Sequence, residues 1–381
     1  MIISLSLKNF KCFESVDNMG FKQVTLLTGS NGRGKSSILQ SLLLIAQSFR
    51  SGKNIEYIKL NGRFVCLGTY NDILSRTAKT NNFTIGLKSD DPDENDVEFV
   101  CKPLERKNRM ADLESLIISY KDGEKRELVN KVGGNDDDNS SFTSATSKGS
   151  TSAVAVVNQL RNLYYISANR VGPTNYVTRN DEVTSGQIGI HGEYVINTLK
   201  DSDGDLIQRV AEEISIIMGG ASVKVDEIDT EYLKLLLDSW DDNDGFKPVN
   251  VGFGYSYILP LVILPLVVES GSKIVLENPE AHLHPGAQSR LMTYLIRVAK
   301  EKNLQLFIET HSDHIVNALR IGIKDSLYAI DHNDATIIHI GRGENNGTSV
   351  FWQINIDREG NLSDYPAEFM DEWTNQMLNL V

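Results

Sequence analysis

Residues 29–36 combine glycines, a lysine and a serine at a spacing that suits phosphate binding. They read Gly-Ser-Asn-Gly-Arg-Gly-Lys-Ser and fit the pattern G-x-x-x-x-G-K-[ST]. Glycines let such a loop curl so that successive N–H groups point at phosphate oxygens. Lys35 would then reach the β- and γ-phosphates of ATP, and the Ser36 hydroxyl would ligate Mg²⁺. The residues expected to bind ATP are Asn31, Gly32, Gly34, Lys35, Ser36 and Ser37.

The elements around this phosphate loop (residues 29–36) support that interpretation. The preceding residues 23–28 are mostly apolar and predict a strand, while residues 36–49 repeat apolar side chains at helical spacing. A helix that begins at Lys35 would add the positive end of its dipole to the site. This strand–loop–helix context favours a phosphate site over the alternative, a structural glycine turn.

Carboxylates follow a second apolar run, residues 273–276, which predicts a buried strand. At such a strand end Glu277 could ligate the metal or its waters. Nucleotide-hydrolysing sites usually carry a second acid at the next position, where it polarises the attacking water. Here that position is Asn278, whose amide cannot accept a proton as a general base. Glu280 could substitute if the backbone brings its carboxylate near.

Histidines near these carboxylates allow two kinds of chemistry. His311 follows the apolar run 304–308 and could hydrogen-bond the γ-phosphate, although an ordinary polar strand end is the alternative. His282 and His284 could suggest zinc, but neither a cysteine nor a third histidine is close in sequence, which favours a tight turn at a dimer face. The predicted catalytic residues are Lys35, Glu277, Asn278, Glu280 and His311, and the predicted metal ligands are Ser36 and Glu277.

Two glycines precede the apolar run 256–268. Gly252 and Gly254 before a helix predict an edge of free N–H groups that faces an anion, whereas a simple turn before a core helix is the alternative. Ser256 is expected to cap the N-terminus of this helix. Pro260 would then lie in its first turn, where proline is tolerated, and Pro265 would kink it.

The formal net charge of −13 is unevenly distributed. Residues 201–245 contain 13 acidic and three basic side chains, and residues 89–98 contain six acidic side chains and no basic one. The remainder is slightly basic, so the net charge neither excludes nor predicts binding to nucleic acid. Four basic residues could form a DNA-binding patch, although a solvated face is the favoured alternative: Lys102, Arg106, Lys107 and Arg109.

Composition excludes several classes of protein. Of the 381 residues, 40% are hydrophobic and 23% are charged, which rules out wholesale disorder. Three cysteines cannot form a disulfide framework for this length, so we expect a reducing, cytoplasmic environment. The first residues predict a strand rather than a signal peptide. The longest apolar run, residues 258–268, contains two prolines and is too short to span a bilayer, so we expect no membrane association.

Alternating strand and helix patterns predict a mostly parallel sheet. Short alternating runs over residues 60–130 indicate an antiparallel β insertion. The low-complexity residues 133–152 are expected to form a mobile loop. Residues 188–240 are predicted to be mainly helical, residues 315–319 to form a short helix, and residues 326–356 to form strands.

The motifs occur in the order and spacing of ABC-type ATPases of the SMC, RecF and overcoming-lysogenisation-defect group. More specifically, the chain resembles bacterial AAA-family ATPases that carry a short uncharacterised C-terminal domain. The matching segments are G-S-N-G-R-G-K-S-S-I-L-Q-S-L-L-L, V-G-F-G-Y-S, L-E-N-P-E-A-H-L-H-P-G-A-Q and E-T-H-S-D-H, and the tail I-D-R-E-G-N-L-S-D-Y-P-A-E-F is similar to the family's ending. The resemblance covers roughly residues 1–75 and 160–375.

This resemblance implies an α/β fold of the ABC-type ATPase head. Such a head has a RecA-like, mostly parallel sheet core, an antiparallel β lobe and a helical lobe, and no coiled-coil arm is expected here. Residues 1–75 would form the N-terminal part of the core, residues 76–160 a β insertion and residues 161–250 the helical lobe. Residues 251–345 would complete the core, and residues 346–381 would form the C-terminal tail domain.

By the same resemblance, two copies of the chain would sandwich ATP and Mg²⁺ between them. The phosphate loop of one copy would face a trans signature contact from the other, formed by Gly252, Gly254 and Ser256. Gly252 replaces the usual signature serine, so this contact must come mostly from the backbone, and Tyr257 replaces a frequent glutamine. Asn278 is usual in this subfamily and suggests slow turnover.

Three functions remain open from the sequence. The first is an ATP-hydrolysing, ATP-gated homodimer that controls a separately encoded effector, such as a nuclease, in defence against phage or mobile DNA or in DNA maintenance. The second is an ATP-binding switch or scaffold that hydrolyses poorly and signals by occupancy. The third is a DNA-binding, RecF-like repair ATPase. In any of them, Arg170 could contact nucleotide or a partner, or could form a structural ion pair.

Overall fold

A computed structural model describes most of the chain. The described residues are 1–50, 57–90, 94–104, 107–120, 123–129, 154–174, 176–180, 182, 187–202, 204–220, 222–227, 231–238, 246–343 and 349–380. The loop predicted at residues 133–152 lies outside them. The chain divides into two units: unit 1 comprises Met1–Leu163, Ala335–Asn355 and Ser363–Val381, and unit 2 comprises Tyr164–Asp334 and Ile356–Leu362.

The described residues contain sixteen strands and nine α-helices. The strands are β1 Ile2–Phe10, β2 Phe13–Gly20, β3 Val24–Gly29, β4 Tyr57–Lys59, β5 Phe83–Ser89, β6 Glu94–Pro103, β7 Met110–Tyr120, β8 Lys125–Val129, β9 Leu163–Ile166, β10 Tyr176–Thr178, β11 Ser222–Glu227, β12 Tyr232–Asp238, β13 Lys273–Glu277, β14 Gln305–Glu309, β15 Ala335–Arg342 and β16 Ser349–Asn355. The helices are α1 Lys35–Phe49, α2 Tyr70–Ile73, α3 Ala155–Arg161, α4 Val195–Lys200, α5 Gly204–Met218, α6 Phe253–Val267, α7 Pro285–Glu301, α8 Asp313–Lys324 and α9 Glu372–Asn379.

Seven strands of unit 1 form an antiparallel sheet. Their order is β2-β1-β5-β6-β7-β4, and β8 pairs with β7. The alternating residues Phe83, Ile85 and Leu87 of β5 are all buried, as expected for one face of a sheet that packs on the core. The antiparallel insertion predicted for residues 60–130 is therefore confirmed in the described part of that segment, and β1 and β2 extend its sheet.

A second group of strands in unit 1 carries the phosphate loop. β3 pairs in parallel with β15, and β15 pairs antiparallel with β16. β3 is buried without interruption from Val24 to Thr28, as expected for a strand that is covered on both faces of its sheet. α1 follows the loop and buries Ile38, Leu42 and Ile45, as its helical spacing predicted.

Unit 2 contains the strands that end in the predicted catalytic residues. β13 pairs in parallel with β14, in register from Lys273 with Gln305 to Glu277 with Glu309, and the strand order is β14-β13-β9. Parallel pairing places the carboxyl ends of β13 and β14 at the same edge. The residues that follow these two strands therefore meet at that edge.

The prediction of a mainly helical segment at residues 188–240 is only partly correct. α4 and α5 lie within it, but residues 222–238 contain β11 and β12, which pair antiparallel, and β10 adds a third strand. Val223 and Val225 alternate with polar residues along β11, and Leu233, Leu235, Leu236 and Leu237 are buried in β12. A period of two is a strand signal, and the acidic composition of the segment had obscured it. The predicted helical lobe therefore also contains a small sheet.

α6 begins earlier than the sequence suggested. Its N-cap is Gly252, which has an extended backbone (φ −61°, ψ 146°), and its first helical residue is Phe253. Ser256 therefore lies inside the helix, and its prediction as the N-cap is wrong. For the same reason Pro260 lies in the helix interior rather than in the first turn, and α6 continues past both Pro260 and Pro265.

The middle of α6 is core, since every residue from Ile258 to Pro265 is buried. A helix that is apolar on all sides must be enclosed by protein or by a membrane. Within the described chain, no helix combines the length and the apolarity needed to cross a membrane.

α8 is longer than the predicted helix at residues 315–319. It begins at Asp313 because the Ser312 side chain accepts hydrogen bonds from the N–H groups of His314 and Ile315. The helix continues to Lys324. The strands predicted over residues 326–356 are β15 and β16, which a 3₁₀ turn at Leu327–Ala329 precedes.

Candidate nucleotide site

The phosphate loop depends on glycines for its backbone path. Gly29, Gly32 and Gly34 have φ values of 129°, 75° and 114°, in the left-handed region that favours glycine. A Cβ atom at Gly29 would lie 2.0 Å from the Ile340 carbonyl oxygen, and one at Gly34 would lie 2.6 Å from the Cys12 sulfur. Gly32 has open space around the same position. The first and third glycines are therefore required sterically as well as conformationally.

Lys35 is buried, with 3% of its surface exposed, although it carries a charged group. Its Nζ donates to the carbonyl oxygens of Gly29 (2.8 Å) and Ser30 (3.1 Å), so the ammonium lies inside the curl of the loop. Asn31 and Gly32 are exposed at the tip of the loop.

The N-terminus of α1 is suited to an anion. Its N-cap, Gly34, offers no side-chain hydrogen bond to the first N–H groups of the helix. The Ser30 hydroxyl and the Arg33 Nε are buried without a hydrogen-bond partner. Ser36 and Ser37 are half-buried in the first turn. This set of donors fits the phosphate groups of a nucleotide, and the Ser36 hydroxyl is a hard oxygen ligand of the kind that Mg²⁺ prefers.

A buried histidine that the sequence did not single out lies behind the phosphate loop. His339 in β15 is 1% exposed, and its Nδ1 lies 3.1 Å from the hydroxyl of Thr28, the residue before Gly29. Its ring contacts Trp352 (centroids 5.9 Å apart) and Phe369 (5.3 Å). Burial lowers the pKa of His339, so the imidazole is held neutral. No local pattern marks this residue, because its partners are distant in sequence.

Glu277 ends β13 in a half-buried position. Its Oε2 accepts a hydrogen bond from the Ala168 N–H (3.3 Å). The Tyr165 hydroxyl also donates to it, and burial together with this carboxylate raises the pKa of Tyr165. Tyr165 in β9 and Ala168 just after it thus hold the carboxylate of Glu277, the predicted metal ligand. Neither residue was a candidate from the sequence.

The segment from Glu277 to Leu283, named here the carboxylate turn, is tightly wound. Asn278 and His282 have left-handed φ values of 44° and 63°. The Asn278 N–H donates to the Glu309 carbonyl oxygen (2.9 Å), and the Ala281 N–H donates to that of Asn278 (3.1 Å). The Asn278 Oδ1 atom is buried without a partner. These contacts agree with the predicted tight turn.

Glu280 connects the carboxylate turn to the end of β14. Its Oε2 accepts a hydrogen bond from the Thr310 hydroxyl (2.9 Å), and its Oε1 accepts one from the His311 N–H (2.8 Å). His311 is exposed. The structure therefore brings Glu277, Asn278, Glu280 and His311 to one edge of unit 2, where their sequence positions placed them.

His282 and His284 have contacts that do not involve a metal. The His284 Nδ1 accepts a hydrogen bond from the Gly286 N–H (3.3 Å) and caps α7. The His282 ring packs against Tyr257, with centroids 4.5 Å apart. Across the residues that the structure describes, no group of three or more His, Cys, Asp and Glu side chains is arranged to hold a metal ion. The zinc alternative thus receives no support from them.

The three predicted signature residues differ in exposure. Gly252 is exposed, and a Cβ atom there would meet nothing within 4 Å. Gly254 is buried, and its Cβ would lie 2.7 Å from the His282 carbonyl oxygen. Ser256 is buried as well, and its hydroxyl has no hydrogen-bond partner. Position 254 requires a glycine because α6 approaches the carboxylate turn closely there. Of the three predicted signature residues, Gly252 is the one exposed at the surface, where a partner could contact it.

Arg170 does not form the ion pair that the sequence left open. It is 3% exposed, and its two Nη atoms donate to the carbonyl oxygens of Ser167 (3.2 Å), Glu277 (2.9 Å) and Asn278 (2.7 Å). It forms no salt bridge with a carboxylate of the described chain. Burial lowers the pKa of Arg170 to about 10, and the charges of Glu280 and Glu277 oppose that shift.

The predicted basic patch is partly neutralised. Lys102 pairs with Glu114 (3.3 Å) and Asp112 (3.5 Å), and the Lys107 ammonium lies 5.6 Å from the centre of the Tyr57 ring. Arg106 lies outside the described residues. These contacts leave Lys102 a weak candidate for binding phosphate, so the geometry adds nothing in favour of DNA binding.

The family models that match the chain agree with its motifs. Residues 24–317 match the family described as "AAA domain, putative AbiEii toxin, Type IV TA system". Residues 330–380 match a domain described as "protein of unknown function (DUF3696)". The resemblance to AAA-family ATPases with a short uncharacterised C-terminal domain is therefore confirmed. A search among curated proteins gave no match.

Solved structures of SMC heads are similar to the chain in fold. The head bound to the C-winged-helix domain of ScpA has a TM-score of 0.50 at 14% identity, with 94% of this chain and 98% of that chain covered. An SMC head from Thermotoga maritima has a TM-score of 0.43 at 15% identity, with 93% of this chain and 99% of that chain covered. An SMC head from Pyrococcus furiosus, bound to the C-terminal domain of ScpA, has a TM-score of 0.48 at 12% identity, with 100% of this chain and 99% of that chain covered. The first match confirms the predicted ABC-type head fold.

Proposed function

The chain belongs to the AAA-domain family that its residues 24–317 match, and from this premise we propose that it is an ATPase. It binds ATP with Mg²⁺ at the phosphate loop, hydrolyses it slowly, and works as an ATP-gated homodimer that regulates a separate effector. The observation that carries this proposal is the loop itself: Lys35 is buried inside a curl of left-handed glycines at the uncapped start of α1.

Lys35 and Ser36 have the roles of phosphate and metal binding in this proposal. The ammonium of Lys35 exchanges the carbonyl oxygens of Gly29 and Ser30 for the β- and γ-phosphates, which its flexible side chain can reach. Ser36 and Glu277 are the residues that would hold the metal through their side-chain oxygens. Bound Mg²⁺ would neutralise charge on the phosphates and polarise the bond that is cleaved.

The carboxylate turn orients the attacking water. Glu280 is the group of this turn that can accept a proton, since Asn278 is an amide. Its two oxygens already accept hydrogen bonds from the Thr310 hydroxyl and the His311 N–H, which hold the carboxylate in place. Because Asn278 replaces the second acid that is usual at this strand end, we expect slow turnover. His311 extends from the same edge and hydrogen-bonds the γ-phosphate.

The exposed Gly252 supports the homodimer. Its N–H group lies at the start of α6 and its surroundings are open, so a second copy could approach its backbone closely.

Two comparisons support the proposal that the chain regulates a separate protein. The matching family is described by a toxin–antitoxin system, and the SMC head of similar fold was solved with a domain of another protein, ScpA. We propose that this effector, such as a nuclease, acts in defence against phage or mobile DNA or in DNA maintenance.

ATP turnover by the purified chain tests the enzymatic part of this proposal. We expect slow release of phosphate that the Lys35→Ala variant lacks. Lys79→Ala is a matched control, because this lysine follows the loop by more than 40 residues and its side chain is 89% exposed, so its loss should leave turnover unchanged. Turnover equal in the wild type and Lys35→Ala would rule out an ATPase. Self-association measured by light scattering should rise with ATP in the wild type and not in Gly252→Asp.

A second function, an ATP-binding switch that signals by occupancy, is favoured by one observation. Asn278 stands where a second acid is usual, and its buried Oδ1 has no partner. If this residue limits the rate, Asn278→Glu should hydrolyse ATP faster than the wild type. An unchanged rate would point to Glu280, and Glu280→Gln would then abolish the remaining turnover.

A further inference from the structure

The surface that would meet a second copy lies next to the carboxylate turn of the same copy. Phe253, the first residue of α6, is 57% exposed, yet its ring is 5.8 Å from the ring of His282. The close approach at Gly254, where a Cβ would be 2.7 Å from the His282 carbonyl oxygen, leaves no room for α6 to slide along this part of the turn. The start of α6 and the end of the turn are therefore in tight contact.

Tyr257, one helical turn further along α6, contacts one end of the carboxylate turn directly and is linked to the other end through Arg170. Its ring packs edge to face on His282, with centroids 4.5 Å apart. The guanidinium of Arg170 lies 5.5 Å from the centre of the same ring, at a distance suited to a cation–π contact. Arg170 in turn donates to the carbonyl oxygens of Glu277 and Asn278, the first two residues of the turn.

Arg170 is an unusual group to bury for a purely structural purpose. No carboxylate of the described chain forms a salt bridge with it, and its Nε has no hydrogen-bond partner. A buried charge without a paired counter-ion is costly and makes its surroundings sensitive to small displacements. Its stabilisation depends on the three carbonyl oxygens, on the nearby charges of Glu280 and Glu277, and on the Tyr257 ring. A shift of the start of α6 would move that ring and so change the environment of Arg170 directly.

We propose that Arg170, Tyr257 and His282 join the start of α6 to the carboxylate turn, so that a partner bound at Gly252 and Phe253 changes the position of Glu277 and Asn278 in the same copy. Arg170 and Tyr257 are thus positioning residues, which act on the reaction through the turn. The inference rests on the proposed function for its consequence in catalysis. The mechanical link itself rests on the contacts within unit 2.

Hydrogen exchange in the full chain without nucleotide tests the link independently of catalysis. Tyr257→Leu keeps most of the apolar volume but removes the ring contacts, and Phe253→Ala changes an exposed residue that folding does not require. In each, we expect the amides of Asn278 and of residues 280–283 to exchange about 10-fold faster than in the wild type. Tyr257→Phe retains the ring and should stay within about 2-fold of the wild type. Wild-type exchange rates in both Tyr257→Leu and Phe253→Ala would overturn the proposal.

Steady-state kinetics test the consequence. Tyr257→Leu should lower kcat about 10-fold and leave KM for ATP within about 2-fold, because the phosphate loop is unchanged. Tyr257→Phe should restore kcat. Equal loss in Tyr257→Phe and Tyr257→Leu would show that the ring contacts are not responsible, and would overturn the positioning role. If the wild type hydrolyses no ATP, the proposed function fails, while the exchange experiment still decides the link.

Discussion

The phosphate loop and the carboxylate turn are both tight backbone segments that follow a buried strand, but they are held in different ways. The loop is shaped by its own glycines and by a lysine that folds back onto the loop's carbonyl oxygens. The turn has two non-glycine residues in the left-handed region and is held by side chains from elsewhere, chiefly Arg170 and Tyr257.

Because of this difference, we expect the phosphate loop to be a rigid binding element and the carboxylate turn to be an adjustable catalytic element. A loop that depends on backbone sterics has one geometry, as binding of phosphate requires. A turn that depends on a buried guanidinium and on aromatic contacts can take a second geometry when those groups move. Substitutions in the loop should therefore act mainly on folding and binding, and substitutions around the turn mainly on the rate.

The largest effect is expected for Gly29→Ala. The new Cβ would clash with the Ile340 carbonyl oxygen at 2.0 Å, and the left-handed backbone would be strained. Together these effects should lower the free energy of unfolding by about 4 kcal/mol. Gly32→Ala is the matched control: it is also left-handed but has open space, so it should cost only about 1 kcal/mol. Urea denaturation measures both, and equal losses would contradict a steric role for Gly29.

A smaller effect is expected where α6 approaches the carboxylate turn. Gly254→Ala would press a methyl group against the His282 carbonyl oxygen and should cost about 2 kcal/mol. Gly252→Ala meets nothing and should cost less than about 1 kcal/mol. If thermal unfolding shows Gly252→Ala to be the more damaging of the two, the close contact between helix and turn is not the reason for a glycine at position 254.

A change in rate is expected for Asn278→Glu, whose longer side chain is strained on the left-handed backbone of this position as much as that of its control variant. The added carboxylate would supply a proton acceptor at the strand end, and turnover should rise by about 10-fold if proton transfer is limiting. Asn278→Gln has a similar size without a carboxylate and serves as the control. A rate that rises equally in both variants would assign the effect to side-chain length rather than to base chemistry.

The smallest effect concerns His339 behind the phosphate loop. Burial and the nearby Lys35 lower its pKa, while the Ala367 backbone and the carboxylates of Glu368 and Asp371 oppose the shift. Because the unfolded histidine titrates near 6.5, the unfolded chain binds more protons below that pH. The stability that neutral His339 contributes is therefore present above about pH 6.5 and is lost as the pH falls, by less than about 1.4 kcal/mol per pH unit. Thermal unfolding of His339→Gln should depend less on pH between 5 and 7, and identical profiles would remove His339 as the cause.

The same contrast explains what the sequence could reveal. The phosphate loop was predictable because its glycines, Lys35 and Ser36 lie within eight consecutive residues between an apolar strand and a helix. The atoms that exclude a Cβ at Gly29 and Gly34 belong to Ile340 and Cys12, and the sequence did not point to them. Glu277 and Glu280 were predictable from their place after an apolar run. The groups that hold them were not, because Tyr165, Ala168 and Thr310 are distant in sequence from these carboxylates and belong to no shared period. Likewise the parallel core was correctly predicted, whereas β11 and β12 were missed because their short alternation was read as part of an acidic helical segment.

Nucleotide binding measured separately from turnover is the most direct test of the division between loop and turn. Calorimetric titration with ATP and Mg²⁺ should show that Lys35→Ala loses binding at least about 10-fold, because the loop has lost its phosphate-facing ammonium. Glu280→Gln should bind within about 3-fold of the wild type and yet lose turnover, since it removes only the proton acceptor of the turn. If Glu280→Gln instead loses binding as severely as Lys35→Ala, or hydrolyses ATP at the wild-type rate, the loop and the turn do not divide binding and chemistry between them.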